Sequence, residues 1–285
     1  MNRVSDQQIV ETVANHWILS IRQITSLFFK STAVARRRLL RTSSLRLTQL
    51  FDGPLTGRHG RPERLVALGD RAADHTNLPS EILAALRKPP SLLPHQLLEN
   101  WFRVMLHQLD QEFTNLTASY TTTSLPSVSS CSRSTRKTSM PERNPGLIPD
   151  GHFTLTSRPL KKSLLFFLEV DLSSEPLASS APNSISRKVQ NYRRMLAQKE
   201  FGEHPTEAPY PYKGFRVLIL TDTLQRSTQA ARLIAQMGPS DFVWVTDEES
   251  LLSKGLHERI WIRGGRINDR RESIIGSQLH EKASP

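Results

Sequence analysis

Apolar side chains recur at helical spacing through the first part of the chain. Ile9, Val10, Val13 and Trp17 form one set, and Ile21, Ile24, Leu27 and Phe28 a second. Steps of three and four place each set on one face of a 3.6-residue helix, which predicts two amphipathic helices within the first 30 residues. A third helix is predicted over about 32–43, where Ser31 or Thr32 can cap the free amides. Ala35, Leu39 and Leu40 supply its inward stripe, while Arg36, Arg37 and Arg41 point elsewhere. The pattern then changes. Leu45 to Phe51 and Arg64 to Leu68 read as short strands, joined by Asp52-Gly53-Pro54 and the basic turn Gly57-Arg58-His59-Gly60-Arg61. Three short helices and a two-stranded ribbon are the layout of a winged helix-turn-helix, which sets a first domain at residues 1–78.

A second domain is predicted over 79–262. Its opening helix runs from His95 to Leu109, with Leu97, Leu98, Phe102, Met105 and Leu106 on one broad face. Pro149 to Leu155 and Ser163 to Asp171 follow as strands around a polar turn, Arg158 to Lys162. Beyond them come a helix at Ser184–Gln198, a strand at Phe215–Leu220, a helix at Thr223–Met237, and strands at Phe242–Val245 and Ile260–Ile262. This alternation predicts an α/β (α+β) unit with mixed strand directions. The Ser/Thr-rich stretch at about 117–144 reads as a flexible insert, because few of its side chains could offset the entropy of ordering it. Residues 263–285 read as a flexible tail.

Charge narrows the partners. The 285 residues carry 38 Lys and Arg against 27 Asp and Glu, a net +11. Residues 1–90 hold 14 of those cations against 7 acids, so most of the excess sits in the first domain. A basic surplus placed this way favours double-stranded DNA as partner. Thr32, Arg36, Arg37, Arg38 and Arg41 are the candidates on the third helix, and Arg58 and Arg61 at the ribbon tip. The competing reading of the same residues is a solvated basic helix, or a winged module used for protein contacts. Cys131 is the only cysteine, which excludes a disulfide framework and a Cys-based zinc site and fits a cytoplasmic location. No apolar run approaches the roughly 18–20 residues of a membrane span, and no apolar signal core follows Met1, so no membrane partner is expected.

The acids near the second domain's first hairpin carry the chemical interest. With the turn centred on Leu160 and Lys161, Asp150 would lie opposite Asp171 and His152 opposite Glu169, with all four on one face. Glu169 and Asp171 end an apolar strand, where ionised carboxylates need a metal, a cation or hydrogen bonds. Asp150, Glu169 and Asp171 are therefore candidate metal ligands, and Mg²⁺ is the hard cation such a set would take. Lys188 and Tyr192 lie one turn apart on the helix that follows.

These residues resemble a family. Pro149-Asp150-Gly151, Phe167-Leu168-Glu169-Val170-Asp171, Ser174-Glu175-Pro176, and Lys188 with Tyr192, behind a winged-helix amino terminus, look like the bacterial replication-relaxation family. His95 and Arg226 extend the likeness to roughly residues 5–262. The resemblance implies a role in plasmid replication, relaxation and mobilisation, with plasmid replication or relaxase proteins as partners. It also implies a second domain similar to the PD-(D/E)XK nuclease fold, in which an Asp and a Glu bind Mg²⁺ and a Lys stabilises the attacking water. Carried over by position, Asp150 and Glu169 match the two acids, but Asp171 stands where that motif has its lysine. Lys188 would have to bring the charge from the next helix.

Three functions follow as expectations. The first is a DNA-binding accessory protein whose nuclease-like domain cuts poorly. The second is a Mg²⁺-dependent endonuclease with Asp150, Glu169, Asp171 and Lys188 as its catalytic set, so enzymatic activity stays open. The third is a winged-helix transcriptional regulator. A phosphate-binding loop ending in Gly-Lys-Ser/Thr, the paired histidines of a rolling-circle relaxase and a hydrolytic triad are all missing from the sequence.

Overall fold

The computed structural model of the chain describes residues 4–55, 62–123, 125–126, 147–173, 176–179, 181, 184–201 and 208–276. Arg58, Arg61, Cys131 and Glu175 lie outside them. The described residues form eight α-helices, a three-stranded antiparallel sheet and a six-stranded mixed sheet, an α/β fold. They group into two compact units, one up to Val104 and including Leu125, the other from Met105 to Thr123 and from Leu147 on.

The first unit begins with α1 (Asp6–His16), β1 (Leu19–Ser20), α2 (Ile21–Phe28) and α3 (Thr32–Ser44). Serines set all three helix starts. Ser5 and Ser20 each accept from the amide three residues on, while Gln8 and Gln23 reach back to the serine amides, which closes two capping boxes. Ser31 caps α3 by accepting from the Val34 amide. β2 (Thr48–Leu55) and β3 (Pro62–Leu68) follow, and the sheet order is β1-β3-β2. Asp52-Gly53-Pro54 is therefore part of β2 rather than a turn. A register shift between Asp52 and Leu55 takes up the irregularity there. Ile9, Val13, Ile24, Leu39, Val66 and Leu68 anchor the core, which α4 (Ser80–Leu86) joins through Leu83 and Leu86.

The long helix α5 (Leu93–Glu112) precedes the second sheet, whose strands lie in sequence order: β4 (Leu116–Thr122), β5 (Gly151–Ser157), β6 (Lys162–Asp171), β7 (Phe215–Thr221), β8 (Val243–Asp247) and β9 (Ile262–Arg263). β4, β5 and β6 pair antiparallel, β6, β7 and β8 parallel, and β9 antiparallel to β8. The parallel strands are linked by α6 (Ile185–Gln198) and α7 (Leu224–Gln236), and α8 (Glu248–Lys254) follows β8. Both linking helices share one core with the sheet, in which Phe167, Tyr192, Val217, Ala230 and Val245 are buried. Strands covered on both faces read as unbroken apolar runs, which accounts for Leu165–Leu168 and Val217–Leu220.

Three further expectations change. The supposed insert starts later, because Thr117–Thr122 belongs to β4, where β-branched Thr and Tyr120 suit a strand paired on one side. The tail is packed as far as Gly276: Trp261 pairs with Glu272, and Ser273, Ile274 and Ile275 are buried. The hairpin register also moves. Gly151 lies opposite Leu168 and His152 opposite Phe167, so the turn centres on Pro159 and Leu160 and Asp150 falls beside Glu169 rather than Asp171. A two-residue change of partner preserves the alternation, so His152, Glu169 and Asp171 keep a common face.

Candidate functional site

The acidic end of β6 is a set of compensated carboxylates. Glu169 is 3% exposed and points toward α6, where Tyr192 donates its hydroxyl to Oε1 at 2.5 Å and Lys188 Nζ lies 3.0 Å from Oε2. Lys188 and Tyr192 are four residues apart on one helix, so one face of α6 delivers both. Burial pushes the Glu169 carboxyl up to about 7, against the pull of Lys188, and the nearby Asp150 charge adds to the rise. The same burial and the Glu169 charge raise the Tyr192 phenol well above its ordinary value. Asp150 turns its Oδ2 to the strand edge and accepts from the Val170 amide at 2.7 Å. Gly151 sits under Tyr120, and a Cβ there would collide with the Tyr120 hydroxyl. This explains the glycine after Asp150.

Asp171 faces a different cation. Arg226 of α7 grips it as a fork, Nε to Oδ2 at 2.5 Å and Nη2 to Oδ1 at 3.1 Å, and the Ser173 amide adds a third bond to Oδ1. Both partners are buried. Neither Tyr192 nor Arg226 was among the sequence's site candidates. Arg226 stood in the first turn of α7, where the helix dipole disfavours a cation, and that misfit signals a buried acid opposite it.

Mg²⁺ would need several of these oxygens to converge. Glu169 is held by Lys188 and Tyr192, Asp171 by Arg226, and Asp150 by a backbone amide. Among the described residues, no group of three or more His, Cys, Asp or Glu could hold a metal ion. Asp150, Glu169 and Asp171 do not fit a shared Mg²⁺ centre in this arrangement. Lys188 does meet Glu169, as the carry-over from the next helix required.

The second candidate surface is α3. Ala35, Leu39 and Thr42 face the core, and Arg36, Arg37 and Arg41 are exposed on the opposite side. Two residues depart from expectation. Arg38 lies three residues from Ala35 and four from Thr42, so it turns toward the body of the unit, where it pairs with Asp6 at 2.5 Å and donates to the Val4 carbonyl. Leu40 is not inward but 62% exposed, because the helical phase spends its buried position on Leu39. Thr32, the first residue of the helix, is half-buried.

No helix among the described residues is long and apolar enough to cross a membrane. No curated protein and no solved structure matches the chain. The profile of the replication-relaxation family does match, over residues 10–206. The matched stretch runs from α1 to beyond α6 and takes in Asp150, Glu169, Asp171, Lys188 and Tyr192, while Arg226 lies outside it. With well over half of its length covered, the chain belongs to the replication-relaxation family.

Proposed function

We propose that the chain is a DNA-binding accessory factor in the replication and relaxation of plasmid or mobile-element DNA. In this reading its first unit is a winged helix that docks on the duplex and its second is a nuclease-like scaffold that does not cut. The observation that carries the docking is the exposed Arg36, Arg37 and Arg41 face of α3. An α-helix fits the major groove, about 12 Å wide, and arginines on its outer face reach phosphates and guanine edges. The order α1, β1, α2, α3, β2, β3 supports the reading, since it puts a ribbon directly after that helix. Arg58 and Arg61, which fall between β2 and β3 in the sequence, would extend the contact. The family match supports a setting in replication and relaxation; in this reading plasmid replication or relaxase proteins would be the partners and the cytoplasm the location.

The compensated carboxylates of β6 favour a scaffold over an endonuclease. In this reading the charges of Glu169 and Asp171 answer Lys188 and Arg226 rather than a metal, and among the described residues no group of three or more His, Cys, Asp or Glu could hold one. Supercoiled plasmid incubated with the full chain in Mg²⁺, Mn²⁺ or EDTA tests both halves of the proposal. Retarded plasmid that stays supercoiled under all three conditions is the expected result. Divalent-dependent nicking that Glu169→Ala abolishes would overturn the scaffold and establish the endonuclease, and failure to retard plasmid would overturn the docking.

A further inference from the structure

Leu40 is an exposed leucine on the face of α3 that carries the exposed arginines. Its helical phase is specific. Ala33, Leu40 and Ser44 are separated by seven and four residues, so they fall nearly in line along the outer ridge, and all three are exposed. Arg36 and Arg37, four and three residues before Leu40, flank that ridge, and Arg41 lies on the same side as Arg37. The core does not need Leu40, because Ala35, Leu39 and Thr42 fill the inward face completely, each at 0% exposure. The face is thus an apolar or small-residue midline bordered by cations.

We infer that Leu40 reads thymine: when α3 enters the major groove, its side chain meets thymine C5-methyl groups while the flanking arginines hold phosphates or guanine edges. The inference rests on the docking reading above. The cations on either side select a polyanion as occupant. Within the major groove, the thymine methyl is the one apolar group presented on a base edge, and a leucine of this exposure gains from burying it. A long polar side chain at position 40 would instead favour hydrogen-bonded readout, and the Ser44 hydroxyl is spent on the Arg41 carbonyl of its own helix. Ala33 and Ser44 are short enough to let the helix approach the base edges closely.

The test compares two 30-base-pair duplexes of alternating A·T sequence, identical except that one carries deoxyuridine in place of every thymidine. The substitution removes the methyl and leaves the pairing. Fluorescence anisotropy of the full chain should show threefold to fourfold tighter binding to the thymidine duplex, about what burial of one methyl supplies. Leu40→Ala should bind both duplexes alike, with the salt dependence of the unaltered chain. Since Leu40 is exposed, the variant should keep the melting temperature. Equal binding of the two duplexes by the unaltered chain, or an undiminished thymidine preference in Leu40→Ala, would overturn the inference while leaving docking intact. Failure to bind either duplex would overturn both. A change of sedimentation on Leu40→Ala with no loss of thymidine preference would make the ridge a self-association surface and also overturn it.

Discussion

The Asp171–Arg226 fork makes a quantitative prediction about the second unit. Asp171 is 2% exposed and Arg226 8%, and the two hydrogen bonds between them tie the end of β6 to the first turn of α7. Arg226→Met removes the cation and leaves a buried carboxylate with only the Ser173 amide. Breaking one side of such a pair costs about 3–5 kcal/mol, because the remaining charge is desolvated without compensation. In a unit of this size each kcal/mol lowers the melting temperature by roughly 2–4 °C, so the second unit should melt about 6–20 °C lower. Scanning calorimetry of the full chain, in which the two units can melt separately, reads this loss. The double variant Asp171→Leu, Arg226→Met should recover most of it, since apolar groups of similar volume replace a buried pair at little cost. A single variant that loses less than about 1 kcal/mol, or a double variant whose loss equals the sum of the singles, would show that the two buried charges are not coupled.

Two further outcomes follow from other pairs. The native Glu169 pKa of about 7 lies above its ordinary value of 4.5, so the folded chain holds this proton more tightly than the unfolded one. Its stabilising contribution is complete below pH 4.5 and is lost as the pH rises through 7, a change on the order of 3 kcal/mol. Urea melts from pH 4 to pH 8 should show the chain weakening relative to Glu169→Gln, and parallel curves would contradict the burial argument. Arg38→Ala should cost roughly 1 kcal/mol by freeing Asp6 and the Val4 carbonyl, yet leave the salt dependence of duplex binding unchanged. A reduced salt dependence would return Arg38 to the DNA-facing set.

Local rules carried the reading far in some places and failed in others for definable reasons. Helix starts were legible because Ser31 and Thr223 cap within three residues, with no help from distant chain. The face shared by His152, Glu169 and Asp171 was legible because strand alternation survives a two-residue change of partner. The register itself was not, since it depends on a four-residue turn ending in left-handed Lys161, and a polar run does not mark which residues turn. Within Arg36-Arg37-Arg38 the composition is uniform and only phase separates the inward Arg38 from its neighbours. Leu39 and Leu40 differ in the same way. The tail looked frayed because its many charges mask Ile274 and Ile275, whose burial requires tertiary partners. Of the acidic site, the carboxylates and Lys188 were visible, but the Tyr192 and Arg226 contacts were not, since both come from helices that only the parallel crossovers bring back over β6.

Docking of the first unit on duplex DNA through the outer face of α3 would be read in the salt dependence of binding for the triple variant Arg36→Ala, Arg37→Ala, Arg41→Ala. Removing one phosphate-binding cation lowers the slope of log affinity against log salt by about 0.9, so removing all three lowers it by about 2.7. Between 50 and 200 mM salt, the affinity of the unaltered chain should therefore fall roughly 40-fold further than that of the variant. Equal slopes, with the variant folded, would contradict the account.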